Sequence, residues 1–376
     1  MENIEKFNLA CGNEENLKSK RCIGNMKSIK LLLDKTWAMN FFKKRASRYF
    51  PGLELLDCKI NIMKVYVDYH SHRLTVNYHL KLRDKKGGLV EKVIVGKSEK
   101  RKTSAFVIDK QNGIFIDYLV TKYLAEHGLK TMVPEAIDYI PALNLYLYRY
   151  VPGYFLQELS VKHQGNKFLN KIKPAVQILK KIHNFKSISD GSKFLKTQNR
   201  ETKQCQDYLR LMHRYYNPGY SNLLFFVKKC HKFRSQYNQY FGSKFYRLIH
   251  GDFYSRNIII NQNRVRTIDF SDSKFYEPLN DIGNFLINTE LMFEYDFHRT
   301  YRALMKKVKE VFCRHYFTRP ISETEKAKID YFILTNLIRI TAFAAMNEAN
   351  QGLANKPSVV IKKLLKIGQE KCKYLK

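Results

Sequence analysis

Apolar positions along the chain change period several times, and each change marks an element. Residues 1–25 are polar and aperiodic and read as a loose leader. From Met26 to about Tyr49, Leu31-Leu32-Leu33, Trp37 and Phe41-Phe42 recur at helical spacing, ahead of a basic end, Lys43-Lys44-Arg45. Such a helix can pack on a neighbouring domain or lie on a membrane surface; packing is the preferred expectation. The spacing predicts three strands next, Ile60 to Tyr69, Leu74 to Leu82 and Leu89 to Lys97, separated by His70-Ser71-His72 and Asp84-Lys85-Lys86-Gly87-Gly88. Gly113 to His127 returns to helical spacing, with Gly128 as its C-terminal cap. Two more strands, Ala136 to Ile140 and Leu143 to Val151, end at Pro152-Gly153.

Beyond that turn the period is almost entirely helical. Phe168 to Phe185 carries Leu169, Ile172, Val176, Leu179 and Ile182 on one side, and Gln204 to Tyr246 adds helices rich in Tyr and Phe. Asn280 to Asn350 reads as two or three helices, and Lys356 to Lys376 as a last one. One short interruption stands out. Asn257-Ile258-Ile259-Ile260, the turn residues Asn261-Gln262-Asn263 and Val265-Arg266-Thr267-Ile268 form a β-hairpin pattern. A hairpin centred near Asn263 sets Asn257 opposite Asp269, and Asp252 lies on the loop that feeds the first strand.

Two carboxylates and an amide gathered at one hairpin end suit phosphoryl transfer to a hydroxyl. That chemistry needs a carboxylate to accept the alcohol proton and hard oxygen ligands for magnesium. Asp252 is the candidate base, with Asn257 and Asp269 as candidate metal ligands. In the third strand Val93, Val95 and Lys97 share a face, which aims Lys97 at phosphates or, equally, at solvent.

The string His250-Gly251-Asp252, with Asn257 and Ile268-Asp269-Phe270, resembles the catalytic segment of the aminoglycoside phosphotransferase and choline kinase family. The resemblance implies an α+β, protein-kinase-like two-lobed fold, with a small antiparallel β-lobe and a larger, mostly helical lobe. It implies ATP and Mg2+ as cofactors and a small hydroxyl compound as acceptor. It matches Asp281 to a structural aspartate and makes His250 a scaffold residue. It places Lys97 near the ATP phosphates and puts Asp117 where a Glu usually pairs with that lysine. Leu147 to Gly153 resembles the family hinge, which assigns adenine recognition to the backbone of Arg149 and Val151. The first hairpin lacks a Gly-rich phosphate loop, and Ser271 follows Phe270 where protein kinases use Gly. The domains expected are a leader and helix over 1–49, a nucleotide-binding lobe over 50–150 and a catalytic and acceptor lobe over 151–376.

Composition adjusts this reading. A chain of 376 residues with 44% hydrophobic and 14% aromatic content has room for two cored lobes. Seven scattered cysteines without a CxxC pair read as reduced thiols in a cytoplasmic protein. The run Ile329 to Met346 is interrupted by Asp330 and Arg339 and reads as too polar to span a bilayer. Sixty-seven Lys and Arg against 34 Asp and Glu give a net charge of +33. This excess favours anionic partners, or is a lysine bias with no particular ligand.

Residues 281–376 hold 17 basic and 10 acidic side chains, which weighs against a polycationic aminoglycoside and toward an anionic acceptor, including a lipid-linked sugar. In the last helix Val360, Ile361, Leu364 and Leu365 form a stripe flanked by lysines. It can enter an anionic membrane peripherally or dock on the large lobe. No RNA-binding string is present, and no specific nucleic acid is expected. The rival reading is a non-catalytic kinase-like module that uses its basic surface for binding.

Overall fold

The computed structural model describes residues 28–67, 71–101, 113–186, 201–297, 301–349 and 359–375, so the expected leader over 1–25 lies outside the described residues. The chain divides after Pro152 into two compact units.

The first unit is built on a five-stranded antiparallel sheet in the order β1-β2-β3-β5-β4. The strands are β1 (Leu53–Val67), β2 (Ser71–Asp84), β3 (Leu89–Arg101), β4 (Ala136–Ile140) and β5 (Leu145–Arg149). Strand β1 starts at Leu53 rather than at the expected Ile60. A bulge between Leu55 and Asp57 shifts the pleat by one residue, so buried Leu55 and Cys58 fall out of simple alternation.

The single helix expected over Met26 to Tyr49 is broken into a turn of helix at 28–33, α1 (Lys35–Lys43) and α2 (Ala46–Tyr49). The break falls at Asp34, whose carboxylate accepts the Trp37 N–H at 2.6 Å and so starts a new helix. Ile29, Leu32 and Phe42 are completely buried with Tyr78 and Leu80 of the sheet, and the Tyr78 hydroxyl donates to the Leu32 carbonyl at 2.9 Å. This segment is therefore part of the core of its unit. Helix α3 (Gly113–Leu124) is followed by a turn in which Gly128 adopts φ 91°, the conformation its capping role calls for.

The second unit is mostly helical: α4 (Leu156–Val161), α5 (Gly165–Ile182), α6 (Glu201–Tyr215), α7 (Tyr220–Gln236), α8 (Leu279–Phe297), α9 (Tyr301–Tyr316), α10 (Glu323–Glu348) and α11 (Val359–Cys372). It also holds a three-stranded sheet, β6 (Tyr154–Phe155), β8 (Ile258–Asn261) and β9 (Arg264–Thr267), and a pair, β7 (Arg247–Ile249) with β10 (Lys274–Tyr276). The short strands β6, β7 and β10 are too brief to show a period in sequence.

Helix α10 is long and apolar enough to cross a membrane by length and composition. Here it packs against α6, α7, α8 and α11, with Ile329, Leu334, Leu337, Ile338 and Ala342 completely buried. Helix α11 docks on α7 and α10 and buries Ile361, Leu364 and Leu365, while Val359 and Val360 stay exposed. Lys363 and Lys371 pair with Glu294 and Glu290 of α8 at 3.4 and 2.8 Å. The stripe considered for a membrane is, for those three residues, a core contact.

Candidate active site

The hairpin forms as the sequence predicts but with its turn displaced by half a residue. Ile258 pairs with Thr267 and Asn261 with Arg264, so the turn is Gln262-Asn263, with Gln262 at φ 53°. Asn257 therefore faces Ile268, whose N–H donates to the Asn257 carbonyl at 3.0 Å. Asp269 lies one residue past the position opposite Asn257 and adopts φ 66°, which a short polar side chain tolerates. Its Oδ1 accepts from the Ser271 hydroxyl at 2.7 Å.

The loop before the hairpin is held mainly by Asp281, which is completely buried near the start of α8. Its Oδ2 accepts the His250 N–H at 2.7 Å and its Oδ1 the Gly251 N–H at 2.9 Å. His183 approaches the same Oδ2 at 3.0 Å and turns its other ring nitrogen to the Tyr316 hydroxyl at 2.7 Å.

His250 is also completely buried. Its Nδ1 accepts the Asp252 N–H at 3.3 Å, which leaves Nε2 to donate to the Ile268 carbonyl at 3.0 Å and to Thr267 Oγ1 at 2.9 Å. One imidazole thus ties the loop to the end of β9. Gly251 sits at φ 84°, and a Cβ there would collide with the Asp272 carbonyl, so the position requires glycine.

Asp252 follows this anchored pair. Asn257, 7% exposed, donates through Nδ2 to the Asp252 carbonyl at 2.8 Å and approaches its Oδ2 at 3.4 Å. With the amide nitrogen so used, the hard oxygen of Asn257 is the atom suited to a cation. Among the described residues no group of three or more His, Cys, Asp or Glu forms a metal cage. An amide and a carboxylate instead suit an ion that keeps several ligands from phosphate and water. Burial, and then the Asp252 charge, push the Tyr254 hydroxyl up to about 12.

Arg339 of α10 comes to Asp252 Oδ1 at 3.6 Å, and its Nη2 donates to Asn284 Oδ1 at 2.8 Å. Burial works against this cation, but Asp252, followed by Tyr208 and Asp272, outweighs it and holds the guanidinium above the ordinary arginine range. Sequence reasoning gave Arg339 no role at the site. The available signal was its charge inside the apolar run Ile329 to Met346; Asn284 offered none.

In the first unit Lys97 and Asp117 form a buried ion pair, Nζ to Oδ2 at 2.8 Å, with side chains 10% and 3% exposed. Asp117 is one methylene shorter than Glu, and the pair closes all the same. Replacing Lys97 by Met leaves a carboxylate in the core without its counter-charge, so a loss of about 3–5 kcal/mol is expected in urea unfolding. Unchanged stability would show that the carboxylate finds another partner.

Arg149 ends β5, and its guanidinium donates to the Tyr49 carbonyl at 2.8 Å and lies 4.9 Å from the Phe50 ring. Its N–H goes to the Glu135 carbonyl at 2.9 Å, and the Tyr150 N–H goes to Val93 at 3.1 Å. Val151 is buried beyond them.

A carboxylate on a pinned loop, followed by an amide and a second carboxylate at the end of a hairpin, is an arrangement that suits phosphoryl transfer to a hydroxyl. The model of the APH family, the phosphotransferase enzyme family, matches residues 117–311, just over half of the chain, and the chain belongs to that family. No curated protein matches the chain.

Among solved structures it is similar to choline kinase LicA from Streptococcus pneumoniae, with 16% identity, 89% of this chain and 98% of that one covered and a TM-score of 0.54. It is also similar to a choline/ethanolamine kinase family protein from Mesorhizobium loti, with 15% identity, 94% of each chain covered and a TM-score of 0.52. An amicoumacin kinase in complex with AMP-PNP and Ca2+ matches at 15% identity, over 93% of this chain and 95% of that one, with a TM-score of 0.52. At such identities the likeness establishes the fold: protein-kinase-like, with an antiparallel-sheet part and a helical part.

Proposed function

We propose that the chain transfers the γ-phosphoryl group of ATP, with magnesium, to a hydroxyl of an anionic acceptor, either a small molecule or a lipid-linked sugar. The observation that carries this reading is the loop Gly251-Asp252, fixed by Asp281 and His250 and braced by Asn257. In the step, the acceptor oxygen bonds to the γ-phosphorus and the bond to the β,γ-bridging oxygen breaks. The hydroxyl proton passes to the Asp252 carboxylate. Asn257 and Asp269 would hold the magnesium ion, which supplies charge neutralisation on the phosphates.

Lys97, oriented by Asp117, would steady the phosphates. For adenine, the Arg149 N–H is engaged by Glu135, so recognition falls to the Arg149 carbonyl and the Val151 N–H. The Arg149 side chain is engaged by Tyr49 and Phe50, which supports a backbone reading.

The acceptor class rests on the basic balance of residues 281–376, 17 basic against 10 acidic side chains, since Arg339 is itself paired with Asp252. That excess would repel a polycationic acceptor and attract a phosphorylated or carboxylated polyol. A panel of matched anionic, neutral and polycationic hydroxyl compounds, assayed with MgATP, tests the class. Turnover is expected to be highest with the anionic members. Preference for an aminoglycoside would overturn it.

A further inference from the structure

Each oxygen of the Asp252 carboxylate is faced by a different donor. Asn257 approaches Oδ2 from the hairpin, and Arg339 approaches Oδ1 from α10. We infer that Arg339 is a positioning residue for Asp252, the second of two braces that set the carboxylate toward the acceptor hydroxyl. The inference rests on reading Asp252 as the base.

Arg339 sits in a helix whose neighbouring positions Leu337, Ile338, Thr341 and Ala342 are completely buried. Its side chain is 24% exposed, so the guanidinium has lost part of its water and recovers part of that cost through a partner. Its ion-pair partner across the fold is the loop carboxylate, and its orientation is set by Asn284. That amide is completely buried, and its Oδ1 accepts both from Arg339 at 2.8 Å and from Asn288 at 2.9 Å. Its Nδ2 donates to the Phe253 carbonyl at 3.3 Å, one residue after Asp252. Asn284 thus bonds both the arginine and the loop backbone next to Asp252.

The 3.6 Å separation is longer than a charge-assisted hydrogen bond of about 2.7–2.9 Å. At that range Arg339 orients the carboxylate by charge and leaves Oδ1 able to accept a proton. It cannot take the proton itself, because a guanidinium is already fully protonated. A lysine would keep the charge but lose the planar fork that also engages Asn284.

The test uses the full chain, with MgATP hydrolysis to water as the probe reaction and urea unfolding as a readout independent of turnover. Arg339→Gln is expected to lower turnover about tenfold while the KM for MgATP stays within about twofold. Arg339→Lys should recover part of the loss. In an Asp252→Asn background Arg339→Gln should cost almost nothing more, and the two substitutions should be non-additive in the urea midpoint, since either one breaks the same pair.

Additive effects in both readouts would overturn the inference, as would a raised KM with unchanged turnover. Should Arg339→Gln not fold, Arg339→Lys decides alone, and wild-type turnover in that variant is the contrary result. Failure of the base reading looks different: Asp252→Asn itself would then leave turnover unchanged, whatever the urea cycle gives.

Discussion

Asp252→Asn is expected to lower phosphoryl transfer by about 10²-fold or more, the scale of losing a positioned general base, with nucleotide affinity and fold kept. The amide is nearly the same shape, and the anchors of the loop do not depend on the carboxylate. Asp281 holds the backbone of His250 and Gly251, and His250 Nδ1 takes the Asp252 N–H. What disappears is the proton acceptor and the charge facing Arg339. Measured kcat with an acceptor from the panel, beside a nucleotide-binding isotherm, separates the two effects. A parallel loss of affinity would mean that Asp252 also serves the metal.

Asp269→Ala is expected to remove the magnesium-dependent gain in nucleotide affinity, because the hairpin would keep only a neutral amide for the cation. The substitution should cost the fold about 1–2 kcal/mol, because alanine tolerates the left-handed φ of 66° less well than Asp, without unfolding it. Phe270 beside it stays completely buried, with its ring 4.6 Å from that of His250. Asn257→Ala should weaken metal binding less, since a neutral amide contributes less charge. It should also lower turnover, because Asn257 Nδ2 braces the Asp252 carbonyl at 2.8 Å. Titration of fluorescent nucleotide with and without magnesium reads both variants. Equal magnesium dependence in wild type and Asp269→Ala would place the metal elsewhere.

What was legible in the sequence follows from range. The hairpin, the His-Gly-Asp loop and the helical periods of the second unit are local patterns, and the structure has them. Errors came where two local signals compete or where a contact is long-range. The turn residues point to a turn centred on Asn263, whereas Gln262 takes the positive φ and Asn261 already pairs with Arg264. The alternation points to β1 starting at Ile60, whereas a bulge breaks that alternation and the strand starts at Leu53. Apolar spacing points to one N-terminal helix, whereas the Asp34 cap splits it.

The charge of the last helix is a subtler case. Its lysines look the same in sequence whether solvated, facing a membrane or paired, and the structure pairs Lys363 and Lys371 with acids of α8. Arg339 lies 87 residues from Asp252, so no spacing rule could join them. Its only local mark was being a cation where the pattern asked for an apolar residue.

If Asp252 is the base, this chain moves the γ-phosphoryl group of ATP to a hydroxyl by way of its carboxylate. Transfer of label from γ-labelled ATP to the acceptor panel, run with and without magnesium on wild type and Asp252→Asn, is the decisive measurement. Labelled product that needs magnesium and falls about 10²-fold or more in the variant is the expected result. Product formed equally well by Asp252→Asn would rule out Asp252 as the base. So would the absence of any product from a wild-type chain that binds nucleotide, which would return it to the reading of a kinase-like binding module.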